Sequence, residues 1–445
     1  MQNLLVSISG IRGIVGEGLT PEVTLRYALA FGNHCKGGKV FVGRDSRTSG
    51  EMLKGAVVSG LLASGCDVID LGICPTPTVG IVAEESKACG VVITASHNPI
   101  QWNGLKFIGK DGIFISEKQA EKLSRMAKIS EFPYKSWNRL GNFHVAELLT
   151  LGHVSRILKL RYINTQRIKK RKLRVVIDCN NGAGSDIGSM LLQVLGCRVI
   201  QLNCKTWSLF AHPAEPLPEN IGTLCRKVKK ARADIGFALD PDGDRLAVVS
   251  EKGMPLGEES TLALAARFVL SKNKGDMAIN VSTSKVIEEI SKEFGVKVYR
   301  TKVGEAFVAK KLKKIKGIIG GEGNGGIILP ELHSGRDALV GMALILEYLA
   351  ESRKPISELS EELPEFHMVK KKITVKGNLN PKLKKLEREF KGSRINRADG
   401  LRLDFSDFWL HVRKSNTEPV VRIIAEAKSK GVANKLTNKA INILK

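Results

Sequence analysis

Asp240, Asp242 and Asp244 stand at alternate positions in the run DPDGDR, a spacing that turns three carboxylates toward one hard cation, and Mg²⁺ suits such oxygen ligands. A calcium-binding helix-loop-helix is the rival reading, and Glu251 falls where its last ligand would be. Arg245, however, occupies the position that needs glycine, Pro241 is awkward in such a loop, and the flanks read as strands. In TASHNP, Ser96 offers a hydroxyl beside the imidazole of His97, and Lys106 follows in NGLKF, so that Ser96 is a candidate nucleophile. A lone serine there would equally cap a helix or fill a turn, and no G-x-S-x-G elbow supports a serine hydrolase. RKSNTEP combines Arg413 with Ser415, Asn416 and Thr417, and Arg422 lies across the hairpin. A guanidinium fork with hydroxyls and turn amides is a receptor for a phosphate dianion, although turn formation alone accounts for the Ser, Asn and Pro. GEGNGG sets Glu322 and Asn324 among glycines, where side chains reach sugar hydroxyls while backbone approaches closely.

A unit written three times must position these groups. Each copy opens with an apolar strand and a small-residue turn into a helix: KVFVGRDSRTSG, RVVIDCNNGAGS and MAINVSTS. A second strand follows at GCDVIDLG, GCRVIQLN and GVKVYRTK, then a helical stretch and a third strand at ACGVVI, ADIGFAL and IKGIIG. Alternating strands and helices predict parallel βαβ units, hence three similar α/β domains with mixed, mainly parallel sheets. Directly after the three third strands come TASHNP, DPDGDR and GEGNGG. Ligands bind beyond the carboxyl ends of parallel strands, so the three loops converge on one central cleft. Domain boundaries are expected near the repeats' edges, giving 1–150, 151–252, 253–364 and a different, α+β region at 365–445. There a strand pair flanks RKSNTEP and an amphipathic helix begins near Gly431.

A length of 445 residues exceeds one ordinary core. No apolar run approaches the roughly 20 residues that cross a bilayer, and the start MQNLLVSISG lacks a charged leader, so the expected compartment is the cytoplasm. Eight cysteines between Cys35 and Cys225 form no C-x-x-C pair and read as reduced, mostly buried thiols. The net charge of +25 attracts anions. Nucleic acid is one candidate, but with only 5% aromatic residues the basic runs 167–172, 227–230, 310–316 and 370–372 carry no interleaved rings for base stacking. They read as solvated helix faces or linkers, and a small phosphorylated substrate suits the positive field equally well. Gly182-Ala183-Gly184 invites a dinucleotide site, but Gly188 is misplaced for G-x-G-x-x-G and no acid ends the next strand. No P-loop occurs.

Together, SISGIRG (Ser7 to Gly13), GRDSRTSG, TASHNPIQWNGLKF, DPDGDR, TKVGEAF, GEGNGG and VRKSNTEP resemble the α-D-phosphohexomutase superfamily, in its order and along the whole chain. The resemblance implies four domains around one cleft and a cycle in which a phosphoserine at Ser96 exchanges its phosphoryl group with a hexose phosphate through a bisphosphate, a trace of which serves as activator. It implies Mg²⁺ held by Asp240, Asp242, Asp244 and the phosphate on Ser96. Arg12, His97, Lys106 and Arg245 would surround the transferring group, with Lys106 accepting or relaying a proton at a lowered pKa, and Lys302 would add a further cation. Glu322 and Asn324 would read the sugar. Arg413, Ser415, Asn416 and Thr417 would grip the distal phosphate. Many members carry Ser where this chain has Asn324 and His where it has Gly326; GEGNGG with WNGLK looks more like the phosphoglucosamine mutase branch, with mannose or glucose phosphate as the alternative substrate. The rival classes are a metal-dependent phosphatase and a basic nucleic-acid-binding protein.

Overall fold

The computed structural model describes residues 4–7, 10–129, 132–375, 377–415 and 420–445. Four sheets carry the chain. The first contains β1 (Leu5–Ser7), β2 (Gly10–Ile14), β3 (Val40–Arg44), β4 (Val68–Ile73), β5 (Cys89–Ile93), β6 (Trp102–Ile108) and β7 (Phe143–Val145), in the order β1-β2-β6-β5-β3-β4-β7. The second holds β8 (Arg174–Asp178), β9 (Arg198–Leu202), β10 (Ile235–Leu239) and β11 (Leu246–Ser250), ordered β11-β10-β8-β9. The third holds β12 (Met277–Asn280), β13 (Val298–Thr301), β14 (Ile319–Glu322) and β15 (Gly326–Ile328), ordered β13-β12-β14-β15.

The sequence repeat maps onto one topology. In each sheet the first strand of the unit lies between the second and the third, all parallel: β4-β3-β5, β9-β8-β10 and β13-β12-β14. Runs such as VFV, VVI and MAI are apolar throughout because helices cover both faces of a parallel sheet. After the third strand the chain turns back into an antiparallel partner, β6, β11 or β15. TASHNP, DPDGDR and GEGNGG therefore occupy three equivalent hairpin turns at the carboxyl ends of β5, β10 and β14.

The fourth sheet is antiparallel: β16 (His367–Ile373), β17 (Arg394–Asn396), β18 (Leu401–Asp404), β19 (Phe408–Lys414) and β20 (Val421–Ala427), ordered β16-β20-β19-β18-β17. The helices Leu379–Glu389 and Lys430–Leu444 pack on it through a separate apolar core around Leu386, Leu403, Leu410 and Ile423. The basic run 370–372 is a correction to the sequence reading: it lies on β16, whereas the other three basic runs fall on or around helices. A repeat of Lys has no periodicity of its own, so only the flanking pairing with β20 decides between helix and strand.

One apolar cluster runs unbroken from Val154 to Leu359, across the second and third sheets. The helix Ala338–Ser352, apolar on nearly every face, lies in its middle, and its start is fixed by Asp337, whose carboxylate accepts the N–H groups of Leu339 (2.7 Å) and Val340 (3.2 Å). The fourth sheet region meets this block through polar contacts instead. Lys285 N–H donates to Glu426 (2.8 Å), Val303 N–H to Asp399 (3.2 Å), and Ser282 Oγ pairs with His411 Nδ1 (3.0 Å). All eight cysteines are free and at least half-buried. Among the described residues no helix is long and apolar enough to cross a membrane.

Candidate active site

Between the four regions lies a cavity of ≈ 590 Å³, bounded by Arg12, His97 and Lys106 on one side, Arg245 and Glu322 to Asn324 on the next, and the strands carrying Lys370, Arg413 and Arg422 opposite. Ser96, the neighbour of the lining residue His97, is buried with φ +51°, the left-handed region that L-residues rarely hold and that costs about 1–3 kcal/mol. Several bonds hold that turn. Ser96 N–H donates to Thr94 Oγ1 (2.9 Å), whose hydroxyl donates to Asp45 (2.5 Å). Buried Arg47 donates to the carbonyls of Ser96 (2.6 Å), Asn98 (2.8 Å), Pro99 (2.6 Å) and Trp102 (2.9 Å), and its Nε to Asp45 (3.0 Å). The outcome is a fixed hydroxyl: Ser96 Oγ donates to Asp240 Oδ2 at 3.0 Å.

Asp240, Asp242 and Asp244 are buried, each with an oxygen within 4.8 Å of the others'. The loop is drawn toward the first sheet by Thr76 N–H on the Asp242 carbonyl (2.9 Å) and the Thr76 hydroxyl on the Asp242 carboxylate. Gly243, at φ +66°, packs against Pro75, where a side chain would meet both strain and contact. Lys106 Nζ donates to Asp242 (2.6 Å) and Asp244 (3.0 Å). Burial opposes charge on all three acids. Lys106 nonetheless holds Asp242 below the usual carboxylate range, and Arg336 with Lys106 holds Asp244 below it. Burial and the neighbouring Asp242 and Asp244 push Asp240 well above that range. Asp242 Oδ1 and Asp244 Oδ1 are buried and make no hydrogen bond. Three crowded carboxylates, two of them with a buried oxygen that makes no hydrogen bond, are the donor set of a hard divalent cation, and these residues fit Mg²⁺.

Cations surround the serine. Arg12 donates to the Ala95 carbonyl (3.3 Å) and Asn98 Oδ1 (2.9 Å), and although burial lowers its pKa to about 10 it stays charged. Arg245 donates to Glu215 (2.8 Å) and to His97 Nδ1 (2.8 Å); burial and the charges of Arg245 and Arg12 push His97 far down, so the ring is neutral. Lys106 departs from the expectation of a lowered pKa. Burial does act that way, but contact with Asp242 and Asp244 outweighs it and the pKa rises, which keeps Lys106 an ammonium. Lys302 departs too. It is exposed beside the cavity, with its ammonium over the Phe307 ring (5.5 Å), because the chain turns away at Gly304 to start the helix Glu305–Ile315.

Glu322 accepts from Asn280 Nδ2 and Gly304 N–H on one oxygen and from Arg336 on the other, each at 2.8 Å. Asn324 Oδ1 accepts the Gly326 N–H (3.2 Å), and both side chains face the cavity. Gly323 lies so close to the Glu259 carboxylate that a Cβ would sit 2.0 Å from one of its oxygens. Burial pushes Glu259 up to about 8. Arg413, Ser415 and Arg422 line the opposite wall, where buried Arg413 keeps Nε without a hydrogen bond. Asn416 and Thr417 lie outside the described residues.

Two arginines were not singled out from sequence. Arg47 lies within GRDSRTSG, a conspicuous motif, yet its partners are mostly carbonyls about fifty residues away. Arg336 donates to Asp244 (2.7 Å), Glu305 (3.0 Å) and Glu322 (2.8 Å), tying the acidic loop to the glycine-rich one. Its only sequence signal is its place before the helix-capping Asp337.

Family models described as Phosphoglucomutase/phosphomannomutase alpha/beta/alpha domains I, II and III match residues 4–133, 152–253 and 257–366, and the C-terminal domain of the same family matches 368–442. A Methanopyrus kandleri protein named as a probable phosphoglucosamine mutase is 39% identical over 443 residues, covering 98% of this chain and 97% of the relative. A Thermococcus kodakarensis phosphoglucomutase/phosphomannomutase is 40% identical over 445 residues, with the same two shares. Among solved structures, a phosphoglucomutase/phosphomannomutase family protein of Burkholderia thailandensis superposes with TM-score 0.85 at 29% identity, covering 99% of this chain and 98% of that one. An Aspergillus fumigatus N-acetylphosphoglucosamine mutase, solved with GlcNAc-6P and magnesium, shares the fold at TM-score 0.58 and 17% identity, over 83% and 92%. The chain belongs to the phosphoglucomutase/phosphomannomutase family of the α-D-phosphohexomutase superfamily and is a phosphohexomutase, an intramolecular phosphotransferase.

Proposed function

We propose that the chain interconverts glucosamine 6-phosphate and glucosamine 1-phosphate, with Ser96 as phosphoryl carrier and a hexose bisphosphate as both intermediate and trace activator. The observation that carries this reading is the 3.0 Å contact of Ser96 with Asp240, in two loops that also send His97 and Arg245 into a cavity lined in addition by Arg413 and Arg422. A phosphatase would need no receptor for a second phosphate. In this reading residues 1–150 supply the carrier, 151–252 the metal loop, 253–364 the sugar loop and 365–445 the phosphate receptor.

Asp240, Asp242, Asp244 and the phosphate on Ser96 would hold Mg²⁺, which supplies positive charge beside the phosphoryl oxygens. The A. fumigatus relative, solved with magnesium, is consistent with that choice. Phosphoryl transfer passes through a loose transition state that asks chiefly for alignment and for cations around the equatorial oxygens. Arg12, Lys106 and Arg245 furnish those cations, and His97 is oriented by Arg245. The bond from phosphorus to Ser96 Oγ breaks as one to the free sugar hydroxyl forms, and the proton that hydroxyl loses is balanced by the one that restores the Ser96 hydroxyl. The bisphosphate then turns over, and its other phosphate returns to Ser96. Arg413, Ser415, Asn416, Thr417 and Arg422 grip whichever phosphate is distal, while Glu322 and Asn324 meet the sugar hydroxyls. Glu322 has spent three of its roughly four acceptor sites on the protein.

Glucosamine phosphate is preferred on the GEGNGG and WNGLK segments and the M. kandleri relative. Mannose or glucose phosphate is the second reading, favoured by the T. kodakarensis relative. Incubation with the 6-phosphates of glucosamine, glucose and mannose, Mg²⁺ and trace bisphosphate should give the fastest 1-phosphate formation with glucosamine. A higher kcat/KM for mannose or glucose would reverse the substrate choice, and inorganic phosphate as sole product would remove the mutase reading.

A further inference from the structure

The cavity is patterned in charge. Arg12, Lys106 and Arg245 line its serine side and Arg413 and Arg422 the side of the fourth sheet, while Glu258, Glu259 and Glu322 line it from the third region. Two of these carboxylates are committed. Glu322 accepts from Asn280, Gly304 and Arg336 (2.8 Å each), and Glu258 accepts from Lys370 Nζ (2.8 Å). Glu259 differs. Its Oε2 accepts the Ser284 N–H (3.0 Å), but its Oε1 has no hydrogen bond among the described residues, and the Lys370 ammonium on β16 stays 3.7 Å away. Glu259 lies in the first turn of the helix Glu258–Lys272 and reaches the glycine-rich loop, where a Cβ on Gly323 would sit 2.0 and 2.1 Å from its two oxygens. Glycine at 323 thus leaves this carboxylate room beside Glu322 and Asn324. Burial pushes it up to about 8, as expected of an acid short of a cation.

We propose that Glu259 determines substrate specificity by accepting the ammonium on carbon 2 of glucosamine phosphate. The inference rests on the glucosamine reading above and deepens it. Arginines and lysines at the two sides of the cavity suit the phosphates of glucosamine, glucose and mannose alike, so they do not tell these sugars apart. Glucosamine phosphate alone among the three carries a cation on its ring. A carboxylate with an open acceptor beside the sugar loop reads that difference, because an ammonium gives it a charge-assisted bond where a hydroxyl gives a neutral one. Glu259 is also incompletely partnered in the empty cavity, and the amine offsets that desolvation on binding. The sugar reverses between the two transfers while Glu259 stays fixed, so the ammonium meets it in one of the two orientations. The equilibrium constant fixes the ratio of forward to reverse kcat/KM, and a weakened contact therefore lowers both alike.

A cycle of two substrates and three enzymes isolates the contact. Values of kcat/KM for the 6-phosphates of glucosamine and of glucose, with Mg²⁺ and trace bisphosphate, are compared in the wild type, Glu259→Gln and Glu259→Ala. Glutamine keeps the Ser284 bond through its amide oxygen and removes only the charge. The glucosamine-to-glucose ratio should fall by about 10–100-fold, and a fall in either variant supports the role. A purely structural residue would lower both substrates together and leave the ratio in place. A wild type that favours glucosamine, with its ratio kept in both variants, overturns the role of Glu259 while the substrate reading stands. A wild type without that preference removes the glucosamine reading and this inference with it.

Discussion

Replacing Ser96 with alanine removes the oxygen that would carry the phosphoryl group while leaving a side chain that fits the same turn. The left-handed backbone costs alanine about what it costs serine, so stability should change by no more than about 1 kcal/mol. Turnover should fall by at least about 10³-fold; a coupled assay for the 1-phosphate, alongside a melting curve, checks both. Arg47→Met should act differently. It leaves Asp45 and four inward carbonyls without their cation, and should destabilise the fold by about 3–5 kcal/mol, seen as a lower denaturation midpoint. Ser96 and the three aspartates were legible in the sequence because residue type and spacing state their chemistry. Arg47 and Arg336 were not, since each earns its place through acceptors supplied by distant turns.

The strand β19 joins two roles. His411 is buried between Ser282 Oγ and the Asp399 carbonyl (2.6 Å), and burial lowers its pKa to about 3. An unfolded histidine titrates near 6.5, so below that pH the unfolded chain binds a proton the folded chain refuses. Stability should therefore fall as pH drops from 6.5 toward 3 and level off below, by at most about 5 kcal/mol from this residue. Denaturant titrations across that range should show a shallower slope in His411→Gln. At the strand's end, Arg413→Ala should weaken sugar phosphate binding by about 10–100-fold while leaving Mg²⁺ affinity unchanged; calorimetric titrations separate the two. The βαβ units and the hairpin around RKSNTEP were legible through repetition and apolar runs. Strands on both sides of the turn were legible only around DPDGDR, and their antiparallel pairing was not, because Gly-rich β14–β15 and β6, buried nearly throughout despite Asn103 and Lys106, lack an alternating pattern strong enough to announce pairing.

Across the molecule, the second and third sheet regions share one core, whereas the fourth is attached through side chains and backbone amides that water can replace. That difference was invisible in sequence, since apolar periodicity marks a buried face without naming its partner. Local opening should be easiest there. Hydrogen exchange at the amides of Lys285 and Val303, which bond Glu426 and Asp399, should slow when a hexose phosphate bridges the cavity; unchanged exchange at saturating ligand would deny that the fourth region closes on substrate. The convergence of carrier, acids and distal-phosphate wall is tested most directly by a single turnover of enzyme carrying a labelled phosphoryl group on Ser96, mixed with less than one equivalent of glucosamine 6-phosphate and Mg²⁺. The labelled phosphoryl group should leave Ser96, pass through the bisphosphate and end on the sugar at carbon 1, while unlabelled phosphate from carbon 6 refills Ser96. Release of the label as inorganic phosphate, or its retention on Ser96 while 1-phosphate accumulates, would contradict Ser96 as the carrier.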